Sequence, residues 1–279
     1  MKPLIDADVL RYEIGFSGQY KEGDELIIRP FEFVADLFDE KIKQICDAVW
    51  ADEPPTLYLT GKGNFRDEIA TLKPYKGTRK TEKPFHFKNL TAYILSHYDV
   101  VVAKGMEADD LMCVEQTSHL NQGLMDTVIC TRDKDLRQCP GMHYGWECGN
   151  QAGFPFSKVD ELGWLKEHRK VDKDGKEFIS KVSGVGQKFF YAQLLMGDAV
   201  DNIPGLPGCG PAKAFDVLHT AKNEKELHDS CFALYLAKYG DTAAERMLEQ
   251  GRLCWMVREL DETNQPVMWE LYNDTEDKN

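Results

Sequence analysis

Between Phe31 and Trp50, apolar residues fall at Phe33, Val34, Leu37, Phe38, Ile42, Ile45 and Val49. That spacing is close to the 3.6-residue period of one helix face, so it predicts an amphipathic helix over this stretch. Short apolar and β-branched runs at Pro3 to Ile5, Thr56 to Leu59, Val100 to Ala103 and Thr127 to Thr131 predict strands. Helical patterns at Asn89 to Tyr98 and Ala108 to Leu120 lie between them. This alternation predicts an α/β fold with a parallel sheet. Beyond about residue 185 the pattern becomes helix (Lys188 to Met196), a Gly/Pro-rich hairpin (Ile203 to Pro211) and helix (Ala212 to His219). Trp164 to Lys188 is polar and lysine-rich, with Asp174-Gly175 inside it, and reads as an exposed hairpin or linker. The expected division is an α/β domain over 1–185 and a helical region with a tail over 186–279.

Composition narrows the class. A chain of 279 residues that is 42% hydrophobic and 29% charged is long enough for one or two domains with a substantial core, and disorder is excluded. No run approaches 18 uninterrupted apolar residues, which excludes a spanning helix and a membrane partner. Asp6, Asp8, Arg11 and Glu13 stand where a signal peptide needs an apolar run, so a cytoplasmic location is expected, in a host cell if the source is viral. Eight cysteines form no C-x-x-C pair, which removes zinc-ribbon and thioredoxin-like readings and leaves reduced, structural thiols.

Charge changes the picture twice. The formal net charge of −13 argues against a polyanionic partner. Lys62 to Lys88, however, carries eight basic residues (Lys62, Arg66, Lys73, Lys76, Arg79, Lys80, Lys83, Lys88) against three acidic ones. This local net charge of +5, with Tyr75, Phe85 and Phe87 as stacking faces, suits a grip on phosphates. A solvated loop is the other reading.

Carboxylates recur at the carboxyl ends of the predicted strands: Asp6 and Asp8 after the first, Glu107, Asp109 and Asp110 after the Val100 run, Asp133 and Asp135 after the Thr127 run. In an open parallel sheet those ends converge on one ligand crevice. Acids so crowded repel one another unless cations occupy the site, and an all-oxygen donor set suits magnesium or manganese rather than zinc. Two such ions about 4 Å apart would support phosphodiester hydrolysis. Taken singly, each group has a structural alternative: a turn for Asp6 and Asp8, a charged first turn for Glu107 to Asp110, a helix cap for Asp133 and Asp135. Asp198 and Asp201 sit three apart at the end of a predicted helix, where the dipole disfavours anions and one turn could aim both at one ion. The glycines from Gly205 to Gly210 allow close approach to phosphate, and Pro211 opens a helix whose free amides face an anion. Such a hairpin would bind duplex through its backbone without reading sequence, or be a plain helix-to-helix turn.

Three ordered blocks, Gly105-Met106-Glu107-Ala108-Asp109-Asp110, Thr131-Arg132-Asp133-Lys134-Asp135-Leu136 and Gly197-Asp198-Ala199-Val200-Asp201-Asn202-Ile203-Pro204-Gly205, resemble the signature of the 5′-nuclease superfamily. That family contains phage 5′-3′ exonucleases, flap endonucleases and the amino-terminal nuclease domain of bacterial DNA polymerase I. The resemblance runs from Asp6 to about Ala214, and the tail from Gln250 to Tyr272 is similar in style to podovirus-type phage exonucleases.

The resemblance implies a PIN-like α/β domain with a helical arch near 62–88, then a helix-three-turn-helix region, with two magnesium ions between them. Asp6, Glu107, Asp109 and Asp133 resemble ligands of one metal, and Asp135, Asp198 and Asp201 those of the other, with Asp110 acting through water. Arg66, Tyr75, Lys76 and Arg79 look like the arch entry, Lys76 and Arg79 contacting the scissile phosphate, with Lys80 and Lys83 beside them. Gly205, Gly208, Gly210 and Lys213 resemble the duplex-binding hairpin, which in relatives also holds potassium.

One departure stands out: the second strand reads Tyr58-Leu59-Thr60-Gly61-Lys62, without the family's usual aspartate, so Thr60 or water is expected to substitute. The implied activity is a metal-dependent 5′-3′ exonuclease and flap endonuclease on DNA with a 5′ end, nick or flap. It would leave 5′-phosphates and remove RNA primers in phage replication, beside a polymerase or single-strand-binding protein. The alternatives are a catalytically impaired DNA-junction binder and a haloacid-dehalogenase-type phosphatase.

Overall fold

A computed structural model describes residues 1–79 and 82–273. The chain forms two compact units: residues 1–64, 80–136 and 141–158 make the first, and 65–79, 137–140 and 159–279 the second. This grouping differs from a single boundary at 185, because Phe65 to Arg79 packs with carboxyl-terminal residues and the hairpin after Val159 belongs with the helices that follow.

In the first unit, β1 (Lys2–Asp6) leads into α1 (Ala7–Ser17), followed by a hairpin of β2 (Gln19–Glu22) and β3 (Glu25–Ile28), α2 (Phe31–Ala48) and β4 (Thr56–Thr60). In the second unit, α3 (Phe65–Ile69) is a single short turn. The first unit continues with α4 (Phe87–His97), β5 (Asp99–Ala103), α5 (Ala108–Asn121), β6 (Thr127–Cys130), β7 (Gly141–Gly145) and β8 (Phe154–Val159). The sheet order is β5-β4-β1-β6-β7-β8, and β5, β4, β1, β6 and β7 pair in parallel. The central strand β1 is buried from Pro3 through Asp6, as a strand covered on both faces must be. The α2 stripe of Val34, Phe38, Ile42 and Ile45 packs with Ile5, Leu57, Leu59, Val128, Leu90 and Ile94 in one core.

The second unit contains the antiparallel ribbon of β9 (Trp164–Val171) and β10 (Glu177–Val185), then α6 (Gly186–Met196), α7 (Pro211–Leu218), α8 (Glu224–Tyr239) and α9 (Ala243–Cys254). Its core gathers Phe190, Tyr191, Leu194 and Leu195 of α6 with Leu218, Leu227, Cys231, Tyr235, Met247 and Trp269.

The expected arch is not a continuous helix. Among the described residues of 62–88, helix occurs only at Phe65–Ile69 and at the start of α4; Lys80 lies outside the described residues. Among the described residues, no helix is long and apolar enough to cross a membrane.

Candidate metal and nucleic-acid site

The carboxyl ends of β4, β1 and β6 lie side by side, since these strands are parallel neighbours. Asp6 ends β1 and caps α1: its Oδ1 accepts from the Val9 amide at 3.0 Å, while its Oδ2 accepts from the Thr131 hydroxyl at 2.7 Å. Thr131 Oγ1 in turn accepts from the Asp133 amide at 2.9 Å, and Asp133 Oδ1 accepts from the Asp135 amide at 2.9 Å. One threonine therefore ties the acid of β1 to the acidic loop after β6. Lys134 lies 3.3 Å from the Asp135 carboxylate.

A second threonine does the matching work on the other side. Thr60, at the end of β4, donates its amide to Asp8 Oδ2 at 2.8 Å, and its hydroxyl accepts from the Ala108 amide at 3.0 Å, at the start of α5. Arg11 stands at ion-pair distance, 2.6 Å, from Asp8 Oδ1. Beside Thr60 the backbones of two strands run close together. Gly61 donates to the Ala103 carbonyl at 2.9 Å, and a Cβ at position 61 would come within 2.3 Å of that oxygen. The crossing at this point leaves no room for a side chain.

Glu107 and Asp110 form a reciprocal capping box at the start of α5: the Asp110 carboxylate accepts from the Glu107 amide at 3.1 Å, and the Glu107 side chain accepts in return from the backbone of the first turn. Asp110 is fully buried there, so its first role is in starting the helix correctly. Glu107 and Asp109 are half-buried. The structural alternatives for these acids thus hold: each of Asp6, Glu107, Asp110 and Asp133 terminates or opens a local element.

Among the described residues, no three His, Cys, Asp or Glu side chains close on one point as metal ligands. The donor chemistry nonetheless fits a hard divalent ion, because magnesium keeps several of its waters and needs only one or two direct carboxylates. Burial, and then the nearby Asp8 charge, raise the Asp6 carboxyl from 3.8 to about 6. A group whose folded value is raised stabilises the fold fully below its unfolded value, and that contribution is lost as pH rises through the folded one. Without metal, we expect Asp6 to withdraw stability on the order of 3 kcal/mol as pH rises from 4 to above 6. Denaturant titrations at pH 4, 5, 6 and 7 in EDTA measure this, by comparing the parent with Asp6→Asn. A pH profile the substitution leaves unchanged would contradict it.

In the second unit the expectations need correcting. Helix α6 stops at Met196, because Gly197 takes φ +73. Asp198 and Asp201 therefore lie in a turn, and one helical turn does not aim them together. Asp198 Oδ1 accepts from the Val200 amide at 2.8 Å. Asp201 instead accepts from the Tyr75 hydroxyl at 3.0 Å and from Arg79, and Lys76 Nζ lies 3.9 Å from it. The Lys76 amide also donates to the Asp201 carbonyl at 2.9 Å. Lys76 and Arg79, expected at the scissile phosphate, are thus ion-paired with a carboxylate expected at a metal.

Arg66 and Tyr75 are not surface contacts either. Arg66 is fully buried, donating through Nε to the Leu253 carbonyl at 3.2 Å and through Nη2 to that of Trp255 at 2.6 Å, with its guanidinium 4.5 Å above the Phe65 ring. Tyr75 is buried. Of the three aromatics offered for stacking, Phe85 alone is exposed; Phe87 is covered by Tyr12, Arg11 and Lys83.

The glycine hairpin divides by role. Gly205 is buried at φ +63, its amide donates to Gln250 Oε1 at 3.0 Å, and a Cβ there would meet the Gly197 amide nitrogen at 2.3 Å. Gly208 and Gly210 are exposed, with open space where a Cβ would stand, and Lys213 is exposed in the first turn of α7. Gly205→Ala should therefore cost about 3 kcal/mol of stability. Gly210→Ala should leave stability within about 1 kcal/mol of the parent while weakening duplex binding. Thermal melts and duplex-binding titrations of the two variants separate these roles, and equal melting losses would contradict the division.

Comparison with known proteins adds a relationship. No family model matches the chain. It is 29% identical over 190 residues to DNA polymerase I of Bacillus subtilis, covering 64% of this chain and 19% of that protein. It is 30% identical over 121 residues to DNA polymerase I of Rhizobium leguminosarum, covering 42% of this chain and 10% of that protein. The chain therefore spans about a fifth or less of the curated relatives it matches. Among solved structures, it is similar to a bacteriophage T5 flap endonuclease in a pseudo-enzyme-product complex with DNA and metal ions. That match has TM-score 0.49 and 13% identity, over 91% of this chain and 98% of that one. The DNA-bound catalytic core of Rad2 matches with TM-score 0.44 and 15% identity over 97% and 83%.

Sequence reading missed Thr131 and Arg11 at this site, and it named Thr60 only as a substitute metal donor, not as the partner of Asp8 and of the Ala108 amide. Their signal was position alone: Thr131 follows the last residue of β6, and Arg11 lies in the helix that leaves β1.

Proposed function

We propose that the chain is a divalent-metal-dependent 5′-3′ exonuclease and flap endonuclease that hydrolyses DNA phosphodiester bonds and leaves 5′-phosphates. The observation that carries this reading is the row of acids at the carboxyl ends of adjacent parallel strands, with Asp6 and Asp133 held on one threonine hydroxyl. The resemblance of the three sequence blocks to 5′-nucleases and the similarity to two DNA polymerases I support it. Asp6, Glu107, Asp109 and Asp133 would hold a magnesium or manganese ion, Asp135 contributing beside them. Bound there, the ion would lower the pKa of a water and stabilise charge on the phosphate. Asp198 would supply a further oxygen donor in the second unit. Gly208, Gly210 and Lys213 would meet the phosphates of a duplex, and a potassium ion held on hairpin carbonyls belongs to the same proposal. Primer removal beside a replication polymerase or single-strand-binding protein is the task this activity suits.

A labelled 5′-flap, a nicked duplex and a blunt duplex, each incubated with purified protein, test the reading. Cleavage with magnesium or manganese, abolished by EDTA, is expected. No cleavage with either ion would refute it. Tight flap binding without cleavage would instead support a junction-binding protein, the reading favoured by a second strand that ends without a carboxylate.

A further inference from the structure

The ribbon of β9 and β10 has two unlike faces. Register pairs Trp164 with Val185, Lys166 with Ser183, His168 with Lys181 and Lys170 with Phe178, so these residues share one face. Trp164, Lys166, His168, Lys170, Phe178 and Lys181 are all exposed, and the paired residues of this face include no carboxylate. The opposite face carries Leu165, Val182 and Gly184 towards the core, and there Glu167 is matched by Arg169 at 2.8 Å. Asp172 of the turn is also used locally, since its Oδ1 accepts from the amides of Asp174 and Lys176, each at 2.9 Å. On a chain of net charge −13, an exposed strip of three lysines and a histidine, closed at its two ends by Trp164 and Phe178 at 47% and 45% exposure, is not expected of a merely solvated face.

We propose that this face is a binding platform for single-stranded nucleic acid. Same-face residues recur about every 6.7 Å along a strand, a stride comparable with one nucleotide of an extended chain. Lysines at that stride meet successive phosphates, and an aromatic ring at either end takes a base by stacking, which tolerates any sequence. A duplex hides its bases and would leave both rings unused. The inference rests on the nuclease reading for its choice of ligand, and in that setting the strip would receive the unpaired strand of a flap.

The test uses the full chain in EDTA, with fluorescence anisotropy of a labelled oligothymidylate and of a blunt duplex. Replacing Lys166, Lys170 and Lys181 together by serine should weaken oligothymidylate binding at least about tenfold and flatten its salt dependence by about two in log–log slope. Trp164→Ala with Phe178→Ala should weaken it by about tenfold with the slope retained. Blunt-duplex binding and the melting temperature should change little in both. Unchanged oligothymidylate binding in the lysine variant, or an equal loss on blunt duplex, would overturn the platform. So would binding of the parent to phosphatidylserine vesicles that the lysine variant loses while its oligothymidylate binding stays. If the parent cleaves flaps while the variants bind single strands normally, the inference fails and the nuclease reading stands. If the variants lose single-strand binding but the parent never cleaves, the reverse holds.

Discussion

Asp133→Ala is expected to lower flap cleavage by at least about 10³-fold, the equivalent of roughly 4 kcal/mol of lost transition-state stabilisation. Asp133 is half-buried, and its Oδ1 accepts from the Asp135 amide at 2.9 Å at the entry to a single turn. Losing that bond costs about 1 kcal/mol, too little to unfold the unit. The Asp6–Thr131 bond remains. A large fall in turnover with a melting temperature near that of the parent is the expected pair of results. Single-turnover cleavage kinetics and a thermal melt check it, and activity within tenfold of the parent would remove Asp133 from the site.

The second large effect concerns stability. Arg66→Ala should destabilise the second unit by about 4 kcal/mol: it leaves the carbonyls of Leu253 and Trp255 without their donor and opens a cavity beneath Phe65 and Tyr75. Denaturant unfolding followed through tryptophan emission measures the loss. A stability change below about 1 kcal/mol accompanied by weaker DNA binding would instead return Arg66 to the surface role that its charge suggests.

These two residues show where sequence was informative. Asp133 was legible because an acid directly after an apolar run must sit at a strand end, and strand ends of a parallel sheet are neighbours whatever else the fold does. The burial of Arg66 was not legible, because its partners are carbonyls 187 and 189 residues away, which no local pattern reveals. The pairing of Lys76 and Arg79 with Asp201 was not legible either, as it spans more than a hundred residues.

The fold follows the same rule. The α2 stripe and the strands β1, β4, β5 and β6 announced themselves through periodicity and apolar runs. The β2–β3 hairpin, exposed along most of its length, has no buried face to impose alternation. Strand β7 buries His143 among glycines, and α8 places His228 beside Leu227, Cys231 and Tyr235, so neither reads as an apolar face. Thr60 and Thr131 carry no periodic signal, because a threonine hydroxyl becomes informative only once its neighbours are placed.

The proposed activity depends on the first unit's acids taking up a divalent ion. Calorimetric titration of manganese into the full chain at pH 7, with the parent, Asp6→Asn and Asp133→Ala, tests this most directly. Saturable uptake by the parent, weakened at least about tenfold in each variant, is predicted. No uptake by the parent, or uptake that neither substitution alters, would contradict it.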